Sequence, residues 1–418
     1  MTFEASLEHA RQRDAADPLR DFRNHFALPK EIYLCGHSLG LQPLAARKAV
    51  EQELEDWARL AVRGHEHARR PWIHYHENLA AGLEYLTGAL PGEVVAMSAL
   101  TVNLHLMLSS FFCPNGARRK ILIEAGAFPS DRHAVVSHLE WHGLDPREAL
   151  IELTPIDGED VIGDGAVEAC LEKQGAEIAL VLWPGVQFRT GQAFDCARIV
   201  RAAQHAGCIV GLDHAHTIGN LPMNLHEDNA DFAVWCSYKY LNAGPGAIGG
   251  CFVHERHGGS TPRSRLAGWW GHEIATRFEM KPGFRAASGA AGFQVSNPPI
   301  LSAAPLLSSL SLFQQARMER LRTKSIELTG FLEFLLDRMI ADIAIVTPRD
   351  PAFRGAQLSL RIGGGKQGKR LFDWLDRHGV VCDWRSPDII RVAPAPLYNT
   401  FEEVFRFSER LAQALREA

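Results

Sequence analysis

Ile178-Ala179-Leu180-Val181-Leu182-Trp183 and Cys208-Ile209-Val210-Gly211-Leu212 are two unbroken apolar runs, and what lies between them decides the fold. Runs this short and continuous suit strands buried on both faces. Between them Cys196, Ile199, Val200 and Ala203 recur at i, i+3, i+4 and i+7, the spacing of one helix face, and Gly207 follows where a left-handed cap would end the helix. Strand, amphipathic helix and strand make a β–α–β crossover, the connection that joins parallel strands. Outward from this unit, from about residue 90 to 255, short apolar runs alternate with helical stretches. Ile121-Leu122-Ile123 and Phe232-Ala233-Val234-Trp235-Cys236 are further strands of the same kind. The expected fold class is therefore α/β, a mainly parallel central sheet flanked by helices.

The pattern changes near residue 255. Gly258-Gly259-Ser260-Thr261-Pro262 opens an irregular stretch that runs to Asn297-Pro298-Pro299, too polar and glycine-rich for regular structure. Loops this long are usually functional or at an interface. From Pro305 to about Met339 the chain reads as helical, with Leu306, Leu310, Phe313, Leu321, Phe331 and Leu335 apolar. Strands near 356–362 and 389–393 and helices near 369–378 and 401–416 then predict a smaller α+β unit. The expected division is an N-terminal segment 1–45 packing with the small domain, a large α/β domain 46–310 and a C-terminal α+β domain 311–418.

Composition narrows the function. Of 418 residues, 46% are hydrophobic and 22% charged, the profile of a chain with a substantial packed core. The 44 basic and 49 acidic side chains give a net charge of −5, so no global positive field invites nucleic acid or an anionic membrane. No apolar run approaches the roughly 20 residues that span a bilayer. The start carries no basic-then-apolar signal, and the eight cysteines include no Cys-x-x-Cys pair, which together point to a reducing, cytoplasmic setting. A small-molecule partner is expected.

In open α/β sheets ligands bind at the carboxyl ends of strands. Asp213 ends one apolar run and Lys239 closely follows another. Each alone reads more readily as a strand-end charge solvated by water. Together they match what pyridoxal phosphate requires: a lysine to hold its aldehyde as a Schiff base, and an acid to keep its pyridine nitrogen protonated. The segment Met97-Ser98-Ala99-Leu100-Thr101-Val102-Asn103-Leu104 reads as a loop turning into a helix, whose free N–H groups suit the phosphate.

The stretch Ser237-Tyr238-Lys239-Tyr240-Leu241-Asn242-Ala243-Gly244 resembles the cofactor-lysine segment of the kynureninases, fold-type I pyridoxal phosphate enzymes. The likeness runs from about residue 30 to 400. It takes in Gly36-His37-Ser38-Leu39-Gly40-Leu41-Gln42-Pro43, Gly64-His65-Glu66, Phe128-Pro129-Ser130-Asp131, Gly211-Leu212-Asp213-His214-Ala215-His216, Gly268-Trp269-Trp270-Gly271-His272, Ser296-Asn297-Pro298-Pro299-Ile300 and Arg391-Val392-Ala393-Pro394. The resemblance implies a homodimer, with active sites at the subunit interface, that hydrolyses L-kynurenine or 3-hydroxykynurenine to L-alanine plus the aromatic acid. Lys239 would carry the cofactor and then shuttle the Cα proton, and Asp213 would face the pyridinium nitrogen. Phe128 would stack on the ring, Asp131 would orient it, and Pro129, Ser130, Pro184 and His216 would lie beside it. Leu100, Thr101 and the Tyr238 hydroxyl would hold the phosphate. Trp269 and Asn297 would reach the neighbouring subunit's site. Arg391 would grip the substrate α-carboxylate with two prongs, and Ser38, His65, Trp270, Ser296 and Asn297 would complete the substrate pocket. Lys239 and Tyr238 are the acid–base candidates.

His37 stands where the family commonly has Asn, Trp270 where Phe is common, and Pro184 where a hydroxyl residue can occur. His65, Ser296 and Asn297 fit family members that accept the 3-hydroxyl group, so 3-hydroxykynurenine is expected to be used at least as well as kynurenine. Three other signals are weaker. Gly363-Gly364-Gly365-Lys366-Gln367-Gly368-Lys369-Arg370 nearly has Walker A spacing, but Arg370 replaces the magnesium-binding Ser or Thr, and the stretch reads as a turn before a helix. His65, His67, His74 and His76 cluster in sequence without a defined metal geometry, and no metal is expected. A related lyase such as a cysteine desulfurase would need a reactive cysteine near the site, and none of the eight is well placed.

Overall fold

The computed structural model describes residues 3–258, 263–340, 343–363 and 365–417. Its centre is a seven-stranded sheet in the order Val94–Ala96, Gly250–Val253, Phe232–Trp235, Ile209–Asp213, Ile178–Pro184, Lys120–Glu124 and Leu150–Leu153. The five strands from Phe232–Trp235 to Leu150–Leu153 pair in parallel, and Gly250–Val253 is antiparallel to both its neighbours. The crossover that decides the fold forms as expected. Helix Cys196–His205 joins Ile178–Pro184 to Ile209–Asp213, buries Ile199, Val200 and Ala203, and starts with the Asp195 carboxylate accepting from the Arg198 N–H. Gly207 follows it at φ 82°, where a side chain would also meet the Arg118 guanidinium.

Apolar layers cover both faces of this sheet. Leu122, Val181, Trp183, Val210, Leu212 and Trp235 point to one, and Ile121, Ile123, Leu180, Leu182, Phe232 and Val234 to the other. This alternation follows from the two-residue period of a strand. The C-terminal part builds its own core on a four-stranded antiparallel sheet, ordered Asp383–Arg385, Ile389–Val392, Leu358–Arg361 and Ala344–Ile345. Helices Met318–Met339, Gly365–Arg377 and Phe401–Glu417 supply much of that core. The N-terminal helix Leu7–Ala16 lies on Phe401–Glu417, and the short strand Ile32–Tyr33 pairs with Val380–Val381.

Three details differ from the sequence reading. The helical stretch after Pro305 begins earlier, at Ile300, and is two helices, Ile300–Ala316 and Met318–Met339, broken at Arg317 with φ 68°. The long irregular stretch contains helical turns at Trp269–Gly271, Ile274–Arg277 and Gly289–Phe293; residues 259–262 of its opening lie outside the described residues. The Walker-like segment is no turn from Gly365 onward. Helix Gly365–Arg377 already includes Lys366 and Gly368, and Gly368 is packed against the Trp384 ring; Gly364 lies outside the described residues.

Candidate active site

The carboxyl ends of three adjacent strands bring together Glu124, Pro184 and Asp213. With Leu100, Phe128, Asp131, Val186, Phe188, Ala215, His216 and Lys239 they line one narrow cleft. Seven of the residues expected at the cofactor thus meet: Leu100, Phe128, Asp131, Pro184, Asp213, His216 and Lys239. Lys239 sits in the loop after Phe232–Trp235, 8% exposed, its Nζ 5.7 Å from the centre of the Phe128 ring and 5.9 Å from that of Tyr238. Among the described residues that ammonium has no hydrogen-bond or ion-pair partner. Asp213 accepts the Ala215 N–H at 2.6 Å and lies within hydrogen-bond reach of Asp131.

Electrostatics in the cleft follow from three buried carboxyl groups around one amine. Burial, then the Asp213 charge beside it, pushes Asp131 well above the ordinary carboxyl range. Glu124, raised first by burial and further by Asp213, is moved from 4.5 to about 8. His216 is held neutral by burial, with Lys239 and Arg391 adding to the effect. Burial likewise raises the Tyr238 phenol, so it keeps its proton at neutral pH.

The raised Glu124 value gives a signed prediction. Between about 4.5 and 8 the folded chain retains a proton that the unfolded chain releases, so this group makes stability fall as pH rises through that window and level off above it. Glu124→Gln should flatten the decline in apparent melting temperature of the cofactor-stripped protein between pH 5 and 9. Identical slopes in the two proteins would remove the buried acid from the account.

The residues present fit pyridoxal phosphate. The helix Leu100–Phe111 opens beside the cleft with no acidic residue in its first turn, leaving its first N–H groups for an anion. Asn103 fastens the preceding loop by donating to the Met97 carbonyl at 2.8 Å. Asp131 Oδ1 and His216 Nδ1 are buried without a partner among the described residues, as groups awaiting a ligand would be. Thr101 is next to Leu100 in the same helical turn. Pro129 is exposed and Ser130 partly so, both in the first turn of Pro129–Trp141 and outside the cleft lining.

Arg391 lies on strand Ile389–Val392, 1% exposed. Its Nη1 donates to the carbonyl of Phe188, a cleft residue, at 2.6 Å, while Nε and Nη2 reach Asp383 at 3.0 and 2.8 Å. Asp383 is also paired with Arg385 at 2.9 Å. Ser38 is half-buried in the turn after Cys35. The remaining expected residues are elsewhere on this chain. His65 is exposed against Trp72, and Trp269 is 47% exposed with its indole N–H donated to the Arg277 carbonyl. Ser296 and Asn297 are exposed, and Trp270 is buried under the Arg277 guanidinium.

Glu124, Phe188 and Asp383 were not singled out from sequence. The strand-end rule that selects Asp213 also selects Glu124, which directly follows Ile121-Leu122-Ile123. Of the clustered histidines, His74 pairs with Glu77. A different group, Glu93, His226 and His254, approaches metal-ligand spacing, but Glu93 already accepts from the Leu90 and Glu255 N–H groups and from His226. No cysteine is among the cleft-lining residues.

The fold is shared with solved structures of low identity. The cystine C–S lyase C-DES superposes with a TM-score of 0.79 at 19% identity, covering 92% of this chain and 98% of that one. A cysteine desulfurase from Thermococcus onnurineus NA1 gives 0.77 at 17% identity, with full coverage of both. This fold, with a lysine and an aspartate meeting at the carboxyl edge of its sheet, defines a fold-type I pyridoxal phosphate-dependent enzyme. Residues 321–411 match the family model described as the kynureninase C-terminal domain. Curated kynureninases of Xanthomonas axonopodis pv. citri and Myxococcus xanthus are 53% and 54% identical, covering 98% and 99% of this chain and 99% of each relative. The chain belongs to the kynureninase family and is a pyridoxal phosphate-dependent hydrolase of a carbon–carbon bond.

Proposed function

We propose that the cleft hydrolyses the Cβ–Cγ bond of L-kynurenine and 3-hydroxy-L-kynurenine, giving L-alanine plus anthranilate or 3-hydroxyanthranilate. The observation that carries this reading is the convergence of Lys239, Asp213 and Phe128 on one cleft that Arg391 borders. Bound there, pyridoxal phosphate supplies an electron-accepting ring for the charge that develops on the substrate carbons.

The chain's own groups do the rest. Lys239 would hold the cofactor and then take and return the substrate Cα proton. Asp213 would pair with the ring nitrogen and keep it protonated, while Asp131, itself held largely neutral, braces Asp213. Phe128 would pack against the ring. The free N–H groups at Leu100 and Thr101, with the Tyr238 hydroxyl, would hold the phosphate. Tyr238, protonated at neutral pH, also stands ready to protonate the leaving Cβ. Arg391 orients the substrate through its α-carboxylate, and Ser38 lies nearby.

A second copy of the chain completes the site. Support comes from what this chain leaves bare: His65, Trp269, Ser296 and Asn297 are exposed and are not among its own cleft-lining residues, as groups serving a partner would be. Trp57 and Val62, 59% and 77% exposed, add apolar surface for such a contact. In that assembly His65, Ser296 and Asn297 contact the aryl ring and its 3-hydroxyl. The compartment is the cytoplasm, in keeping with eight free cysteines.

The test is turnover followed by the fluorescence of the aromatic product. Both substrates should be cleaved, with kcat/KM for 3-hydroxykynurenine at least equal to that for kynurenine. A clear preference for the unsubstituted substrate would remove the role given to the three polar groups, and no turnover of either would overturn the reading.

A further inference from the structure

His37 is fully buried, and neither of its ring nitrogens has a hydrogen-bond partner among the described residues. Burying such groups unpaired is costly, and a turn has every opportunity to place them in water instead. This turn is fixed from several sides. The Ser38 N–H donates to the Cys35 carbonyl at 2.9 Å, the Gly40 N–H donates to the Tyr238 carbonyl at 2.8 Å, and Cys35 bridges to Ala393, just beyond the Arg391 strand. A side chain at Gly40 would collide with the Lys239 carbonyl and Asn242, so the turn sits directly on the lysine loop.

The imidazole thus lies where two parts of the site meet. Its charged neighbours are Arg391, Lys239, Arg385 and the Asp383 carboxylate, and its ring centre is 6.5 Å from that of His216. Burial first, then those three cations, hold it neutral, leaving one N–H donor and one acceptor. Asp383, with a carboxylate oxygen within 4.8 Å of the His37 ring nitrogen and the Cys35 thiol, does not make this a metal site, because two arginines already occupy its carboxylate. What the described residues lack is an anion within hydrogen-bond reach of the ring.

We infer that His37 is a substrate-binding residue whose N–H donates to the substrate α-carboxylate beside Arg391. The inference rests on the kynureninase reading, in which the amino-acid end of the substrate extends from the cofactor at Lys239 to Arg391. The imidazole has both of those residues among its charged neighbours. A carboxylate has about four acceptor positions, and a third donor satisfies what a two-pronged arginine leaves open.

The holoenzyme tests this with L-alanine, which carries the same α-carboxylate and amine, titrated by the change in its visible absorption, and with L-alaninamide, which lacks the anion. His37→Leu should weaken L-alanine binding about tenfold or more, the worth of a hydrogen bond to a charged group. Binding of L-alaninamide should stay within about twofold of wild type, since a neutral group gains least from that bond. The KM for kynurenine should rise with kcat little changed, and His37→Gln, which keeps an N–H donor, should recover most of the loss. The ligand-free His37→Leu protein should melt no lower than wild type, because two unpaired polar atoms have been removed. His37→Met offers the same comparison if leucine does not fit the turn. Equal losses for alanine and alaninamide, or none for either, would overturn the inference. Failure of the wild type to cleave kynurenine would sink the assigned reaction, while the alanine comparison would still decide the role of His37.

Discussion

Lys239→Ala should lose kynurenine hydrolysis by a factor on the order of 10³ or more in kcat, together with the visible absorption band of lysine-bound cofactor. Lys239 is the one amine lining the cleft among the described residues, so no neighbouring group can take over either the covalent attachment or the proton transfer. The variant should still fold. Lys239 is the one cation lining the cleft with Glu124, Asp131 and Asp213 among the described residues, and its removal drives Asp131 further toward the neutral form instead of leaving an ionised group stranded. Circular dichroism like that of wild type, with a colourless protein and no anthranilate formed, is the expected result. A retained band, or turnover within tenfold of wild type, would move the cofactor elsewhere.

The sequence made some of this legible for identifiable reasons. Ile178–Pro184 and Ile209–Asp213 were readable because parallel strands buried on both faces are continuous apolar runs, and the helix between them because its apolar face keeps strict spacing. The same logic exposed Asp213, whose position at a strand end is a local property. Gly365-Lys366-Gln367-Gly368 resembles a turn, yet it is helical because Gly368 lets the helix approach the Trp384 ring, a tertiary contact that overrides local propensity. The break at Arg317 has no local signal, since arginine rarely adopts a positive φ. Family likeness identified Arg391, and the Asp383 clamp on it is a cross-strand pair only eight residues away in the chain, whereas the burial of His37 depends on segments far apart in the chain meeting in space, which periodicity cannot report.

That clamp shapes the second large effect. A guanidinium carries five N–H donors. In Arg391 the Nε side is committed to Asp383 and one Nη1 donor to the Phe188 carbonyl. One N–H remains on each Nη, so a substrate carboxylate can still be gripped by two prongs, but only end-on. Burial lowers the Arg391 pKa while Asp383 opposes it, and the pair therefore sustains both the charge and the aim of the fork. Lysine cannot satisfy Asp383, Phe188 and a substrate in this planar arrangement. Arg391→Lys should raise KM for kynurenine by about 10²-fold, equivalent to ~3 kcal/mol, with a smaller fall in kcat. Asp383→Asn keeps an acceptor but removes the negative charge between Arg385 and Arg391, so it should raise KM and also lower the melting temperature, because a buried cation loses its counter-charge. If the two variants lose stability alike and KM stays within threefold in both, the pair is only a brace between strands, and the substrate carboxylate is held by other groups.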